Sequence, residues 1–205
     1  MLERFMENCK KPAGRFGRLV LKGMNCGHGA VANWAFDRIC WPEGGRILDV
    51  GCGGGGNIAR LLKRCPHSRV DGVDYAPQSV EVSRQVNVRY LGGRCRVEHG
   101  DVMALPFENE SYDVATAVET VYFWPDLTGG LGEIRRILRP GGHVLLVTEM
   151  SDPAKGEKWS RYCSGMTIYT PAQLRAALEQ AGFVQAELHT RGVWTAAVGK
   201  KPDKR

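Results

Sequence analysis

Long apolar runs are missing from this chain of 205 residues: none approaches the roughly 18 consecutive positions of a membrane span. A secretory leader is not expected either, because the opening residues MLERFMENCKKPAGR are charged where a leader would be apolar. The expected location is cytoplasmic. Paired cysteines are lacking too. The seven cysteines are odd in number, irregularly spaced and without a C-x-x-C pair, which argues against a disulfide framework and against a zinc knuckle. Cys26 and His28 stand as C-x-H, but without a second pair they read as a turn, and no metal site is expected. Internal repeats and low-complexity tracts are absent.

A basic stripe through the body is lacking as well. The formal net charge of +6 comes from the two ends: residues 1–22 hold six Lys/Arg against two Glu, and residues 200–205 hold four against one Asp, leaving the rest at −1. Nucleic acid is therefore not the expected partner, and the tails are assigned to solubility.

What is present is an alternation of strand and helix patterns after an all-helical start. FGRLVLKGMN (16–25) and HGAVANWAFDRIC (28–40) carry apolar residues at three- and four-residue spacing and read as two helices closed by Trp41-Pro42. Strands are predicted at 46–51, 69–74, 95–101, 112–119 and 143–150. Helices are predicted from Asn57 to Arg64, from Pro77 to about Leu91 and from about Asp126 to Leu138, the last stopped by RPGG. TPAQLRAALEQAGF (170–183) has Thr170 as N-cap, Pro171 at the first helical position and Gly182 beyond the end. VQAELHT and VWTAAVGKK form an antiparallel pair. The expected fold is α/β: an open, doubly wound, Rossmann-like sheet of seven mostly parallel strands, the last antiparallel, preceded by helices. One domain over 1–205 is expected, with a helical cap (1–45), a cofactor-binding core (46–150) and a lid with a terminal helix and strand pair (151–205). In such sheets ligands sit at the carboxyl ends of the strands, where the strand order reverses.

The first strand runs into LDVGCGGGGN (48–57), an acid followed by five glycines in six positions. Gly51, Gly53 and Gly55 form G-x-G-x-G, while Gly51, Gly53 and Gly56 also satisfy the dinucleotide pattern G-x-G-x-x-G, so the glycines alone do not choose between cofactors. Either way the backbone is stripped for close approach, and the next helix presents N–H groups to an anion. Asp49 leans the choice toward a ligand that carries an ammonium group, since a carboxylate there would repel a pyrophosphate.

ILDVGCGGG resembles the first motif of class I S-adenosylmethionine-dependent methyltransferases, and the resemblance continues through GVDYAPQSV (72–80), GDVMALPFENESYDV (100–114) and IRRILRPGGHVLLV (134–147). Together these segments span Arg46 to Met150, about half the chain, in the family's order and spacing. The branch they resemble most holds the ubiquinone/menaquinone-biosynthesis methyltransferases (methyltransferase type 11). The resemblance implies that Asp49, Gly51, Cys52, Gly53, Gly55 and Tyr75 belong to the cofactor site. Asp74 would accept from both ribose hydroxyls, Asp101 from the adenine amino group, and the Val102 N–H would meet a ring nitrogen. Cys52 stands where small residues are usual and reads as packing.

The implied reaction is in-line methyl transfer from S-adenosylmethionine, leaving S-adenosylhomocysteine, to an O, N, S or C nucleophile of a small molecule. Catalytic candidates are Glu119, Tyr122 and His28. In ETVYFWPD (119–126), Glu119 would contact the methionine ammonium or the acceptor, and Tyr122 and Trp124 would wall the methyl group. The segment is not [D/N]-P-P-[Y/F], the motif of many methyltransferases acting on amino groups of DNA, RNA and protein. Acceptor contacts are expected from Met24, Asn25, His28, Trp34 and Phe36, and from a lid over 151–170 that holds Cys163, with Glu149 and Tyr169 beside it. His143 is read as structural. An enzyme on RNA or protein, or a non-catalytic cofactor-binding module, remain the alternatives; the acceptor's identity and the oligomeric state are not legible.

Overall fold

The computed structural model describes residues 10–163 and 165–204. Two helices, α1 (Gly14–Gly27) and α2 (Gly29–Phe36), lead into β1 (Arg46–Val50), α3 (Gly56–Arg64), β2 (Arg69–Asp74), α4 (Pro77–Val86) and β3 (Val97–His99). Then follow β4 (Tyr112–Val118), α5 (Leu127–Ile137), β5 (Leu138–Thr148), α6 (Pro153–Tyr162), α7 (Pro171–Gln180), β6 (Val184–Arg191) and β7 (Trp194–Lys200). The seven strands form one sheet in the order β3-β2-β1-β4-β5-β7-β6. All neighbouring pairs are parallel except those made by β7, which runs antiparallel to both β5 and β6.

The period-two alternation of the strands sorts their side chains between two cores. On β5, Val144 and Leu146 join the cluster that contains Leu131, Ile134 and Ile137 of α5 and Leu174 and Leu178 of α7. Leu145 and Val147 point the other way, into the cluster of Val31 and Phe36 from α2 with Ile58, Leu61 and Leu62 from α3. The strand order reverses between β1 and β4, so a crevice opens between the carboxyl ends of those two strands.

Several boundaries differ from the sequence reading, each for a local reason. Helix α2 stops at Phe36 rather than Cys40 because the Phe36 carbonyl accepts from Trp41 Nε1 (2.8 Å) and Arg64 Nη1 (3.2 Å). Helix α4 stops at Val86 because buried Asn87 turns its side chain back to the carbonyls of Gly55 and Ser83, both at 3.0 Å, and a 3₁₀ turn over Val88–Tyr90 follows. The RPGG segment does not separate α5 from a strand at His143: β5 already begins at Leu138, opposite Tyr112, and the Pro-Gly residues form an irregularity before His143 pairs with Val114. Gly141 and Lys201 there exchange backbone bonds with the neighbouring strand end, Gly141 N–H to the Lys201 carbonyl at 3.0 Å and Lys201 N–H to the Gly142 carbonyl at 2.8 Å. Thr170 caps α7 as expected, in a reciprocal capping box with Gln173.

Candidate active site

Past β1 the chain turns sharply at Gly51, whose φ of +69° suits only glycine and whose missing Cβ would collide with the Thr120 side chain. Gly55 (φ +77°) starts α3; a Cβ there would sit 2.5 Å from Ser83 Oγ. The turn is held from two sides. Asp74, at the end of β2, accepts from Gly53 N–H (2.8 Å) through one oxygen and from Ala76 N–H (2.9 Å) through the other. From α1, the Asn25 amide donates to the Gly54 carbonyl (2.9 Å) and accepts from Gly56 N–H (3.2 Å). The first N–H of α3 is therefore engaged by Asn25 and not offered to an anion. Arg60 Nη2 braces this contact by donating to the Asn25 carbonyl at 2.6 Å.

A cavity of about 290 Å³ lies over the turn, bounded by Gly51, Cys52, Gly53 and Gly54, by Asp74 and Tyr75 after β2, and by Asp101 and Val102 after β3. Its other wall comes from Lys10, Lys11, Leu21, Met24, Asn25 and His28 on the helical side and from Glu119, Thr120, Phe123 and Trp124 after β4. Asp101 folds back on itself, accepting from Met103 N–H at 2.9 Å, and so presents its carboxylate at the end of its strand. Burial raises the Asp74 carboxyl, against the backbone N–H bonds of Ala76 and Gly53 that stabilise its charge. Asp49 lies beneath the turn at 1% exposure. Burial pushes its carboxyl up to about 7, opposed by the bond from Thr116 Oγ1 at 2.7 Å, and its Oδ2 has no hydrogen-bond partner among the described residues.

Beyond β4 the backbone enters the left-handed region at Glu119 (φ +59°), an unusual conformation for a residue with a side chain. Both protein contacts of its carboxylate fall on Oε1, from the Tyr122 hydroxyl (3.2 Å) and from the Glu149 backbone N–H. Burial pushes the Glu119 carboxyl up to about 8, with the nearby Glu149 charge adding to the rise. His28, between α1 and α2, brings Nε2 to 3.8 Å from Glu149 Oε2, and its own pKa is lowered chiefly by burial.

The family described as "Methyltransferase domain" matches residues 47–142. The demethylmenaquinone methyltransferase of Deinococcus radiodurans is 36% identical over 54% of this chain and 45% of that protein, and the O-methyltransferase cnsE of Penicillium expansum is 32% identical over 71% and 54%. The chain thus spans about half the length of these two relatives. The demethylmenaquinone methyltransferase of Thermus thermophilus is 30% identical over 77% of this chain and 83% of that protein. The chain belongs to the class I S-adenosylmethionine-dependent methyltransferases. Within them it falls in the ubiquinone/menaquinone-like branch. A chain from the complex of the Haloferax volcanii Trm112 methyltransferase activator with a methyltransferase superposes with a TM-score of 0.83 over 92% of this chain and 95% of that one, at 24% identity, a likeness of fold.

Against this methyltransferase frame, the expected site residues divide into those at the cavity and those behind it. Gly51, Cys52, Gly53, Asp74, Tyr75, Asp101, Val102, Glu119 and His28 all reach the cavity, as do Met24, Asn25 and Trp124. Asp49 and Gly55 do not line it: Asp49 acts from below, and Gly55 packs on Ser83 and Asn87. Tyr122 is not a wall of the cavity either. It is 2% exposed, and its hydroxyl ties Glu119 to Met150, whose N–H it meets at 3.1 Å. The expected lid over 151–170 contributes no residue to the cavity among the described ones. It holds helix α6 instead, and Gly156 of that helix lies against Ile168 and Met150. Cys163 is fully buried, and Tyr169 packs against the core on the α5 side. Phe36 is core, Trp34 meets Trp194 at a tilt with ring centroids 5.9 Å apart, and His143 lies in β5, paired with Val114 of β4.

Of the basic tails, residues 1–9 and Arg205 lie outside the described residues. Lys200 pairs with Asp203 at 2.7 Å, and Lys201 and Lys204 reach Glu110 at 3.8 and 2.8 Å. Among the described residues no helix is long and apolar enough to cross a membrane.

Proposed function

We propose that this chain transfers the methyl group of S-adenosylmethionine to a small-molecule acceptor. The observation that carries the reading is the meeting, at the reversal of strand order, of a side-chain-free turn, two strand-end carboxylates and an acidic and histidine-bearing wall around one cavity. The donor set suits such a cofactor: Gly51 and Gly53 leave room for its methionine portion, Asp74 for its ribose hydroxyls, and Asp101 with the Val102 N–H for its adenine edge. Buried, half-satisfied Asp49 adds negative charge beneath a ligand that is cationic at nitrogen and sulfur. A dinucleotide would set its pyrophosphate against the same charge, and the N–H at the start of α3 is already engaged by Asn25.

When bound, the cofactor supplies an electrophilic methyl on sulfur; the residues of the chain align the acceptor and keep water out. Phe123 and Trp124 form an apolar wall. His28 and Glu119 take the polar part of the acceptor, and Tyr122 positions Glu119. The relatives' names support a small acceptor. Calorimetric titration with S-adenosylhomocysteine tests the cofactor, and a radiolabelled methyl donor offered with a broad acceptor panel tests the transfer. A folded protein that ignores S-adenosylhomocysteine but binds a nicotinamide dinucleotide would overturn the proposal.

A further inference from the structure

Where His28 and Glu119 line the cavity, with Glu149 just behind its wall, stands a feature that methyl transfer does not require. His28, Glu119 and Glu149 come from three separate places in the fold, the α1–α2 junction and the ends of β4 and β5, yet their ligand atoms all lie within 4.8 Å of one another. Among the described residues neither glutamate forms an ion pair with a lysine or arginine; the nearest basic group to Glu149 is His28, at 3.8 Å, beyond hydrogen-bond range. Two carboxyl groups so close, with no cation between them, resist being ionised together.

We infer that His28, Glu119 and Glu149 form a site for a divalent first-row metal ion, with coordination positions left open to the cavity. Ligands at about 2.0–2.2 Å from such an ion stand roughly 3–3.5 Å apart, so the cluster needs only a small side-chain contraction to close on it. Once metal binding has displaced any proton from the glutamates, two carboxylates balance a divalent cation. One imidazole with two carboxylates is a borderline donor set, favouring manganese, iron, cobalt or zinc over calcium. Glu119 is already oriented: Tyr122 and the Glu149 backbone occupy Oε1, and Oε2 makes no hydrogen bond among the described residues. Partners of this kind fix a ligand's direction and raise its affinity. The open positions would hold an oxygen donor of the acceptor next to the methyl group. That role rests on the methyltransferase reading, but the metal site itself does not.

The test is a titration of the whole chain, stripped with a chelator, with Co²⁺ followed by calorimetry and visible absorption. One equivalent should bind and give ligand-field bands without the thiolate charge-transfer absorption that exposed Cys26 or Cys40 would produce. Glu149→Gln and His28→Ala should each weaken binding roughly tenfold or more. The control His189→Ala, which disturbs the surface pair of His189 and Glu187, should leave it unchanged. Glu149→Gln keeps the side-chain shape, so the comparison survives if His28→Ala fails to fold. Equal Co²⁺ affinity in the wild type and both cluster variants, thiolate absorption, or expulsion of Co²⁺ by S-adenosylhomocysteine would each overturn the inference. Co²⁺ binding by a protein that ignores S-adenosylhomocysteine would uphold the metal site and sink the methyltransferase reading.

Discussion

Replacing Asp49 by Asn should make the protein more stable above neutral pH while weakening its hold on S-adenosylmethionine. Asp49 is almost wholly buried, and its carboxyl rises from an ordinary 3.8 to about 7. Below pH of about 4 the group is protonated in folded and unfolded chains alike. Between about 4 and 7 the folded chain retains a proton that the unfolded chain has lost, so stability falls as pH rises through this window and does not recover above it. Each pH unit is worth about 1.4 kcal/mol, so the interval from pH 5 to 8 removes roughly 3 kcal/mol through this one group. For a chain of this size that corresponds to a melting-temperature change of roughly 6–12 °C. The Asp49→Asn protein keeps an acceptor for the Thr116 hydroxyl but has no such titration. Thermal unfolding of both proteins without ligand should therefore show a gap that widens by about that amount, in favour of the variant, between pH 5 and pH 8. Calorimetry at pH 8 should show the opposite order for S-adenosylmethionine, because the cationic ligand loses a buried countercharge. Parallel melting curves across the pH range would refute the assignment of this shift to Asp49.

Asp74→Ala should weaken S-adenosylhomocysteine binding by about 1.5–3 kcal/mol, roughly 10- to 150-fold, through lost charge-assisted bonds; unaltered affinity in the folded variant would rule out a ribose contact. Gly51→Ala should lower the melting temperature by at least roughly 4 °C, since the left-handed backbone and the Thr120 contact each oppose a Cβ, and an unshifted transition would contradict this. Thr170→Ala removes the capping box of α7 and should lower stability by about 1 kcal/mol in denaturant titration, without affecting cofactor affinity. Trimming residues 200–205 should leave any weak binding of RNA unchanged, because Lys200, Lys201 and Lys204 already pair with acids; a lost salt dependence would count against that.

The cofactor half is legible because its chemistry is written in contiguous segments: Gly51, Asp74 and Asp101 each stand at or just past the end of a strand, which is where an open sheet places its ligands. The acceptor half was less so. Whether Tyr122 or Phe123 faces the cavity depends on the 3₁₀ turn over Val121–Phe123, and nothing in ETVYFWPD sets that phase. Asn25 was visible as a polar residue in the helical cap, but its clasp on Gly54 and Gly56 joins positions about thirty residues apart, a contact with no local pattern. The polar run 151–170 looked like a lid because it lacks a strong apolar period. Asp152 in fact caps α6, and Gly156 lets that helix settle against Ile168. The Pro-Gly pair predicts a helix end at Leu138, whereas β4 recruits that residue across an irregular register.

The placement of β7 between β5 and β6 also dictates an order of assembly. During synthesis β6 leaves the ribosome before β7, yet it has no partner in the sheet until β7 has joined β5. β6 therefore enters the sheet together with β7 or after it. Until β7 docks, a nascent chain exposes the unpaired flank of β5 from His143 to Thr148, an open edge on which another unfinished copy could pair.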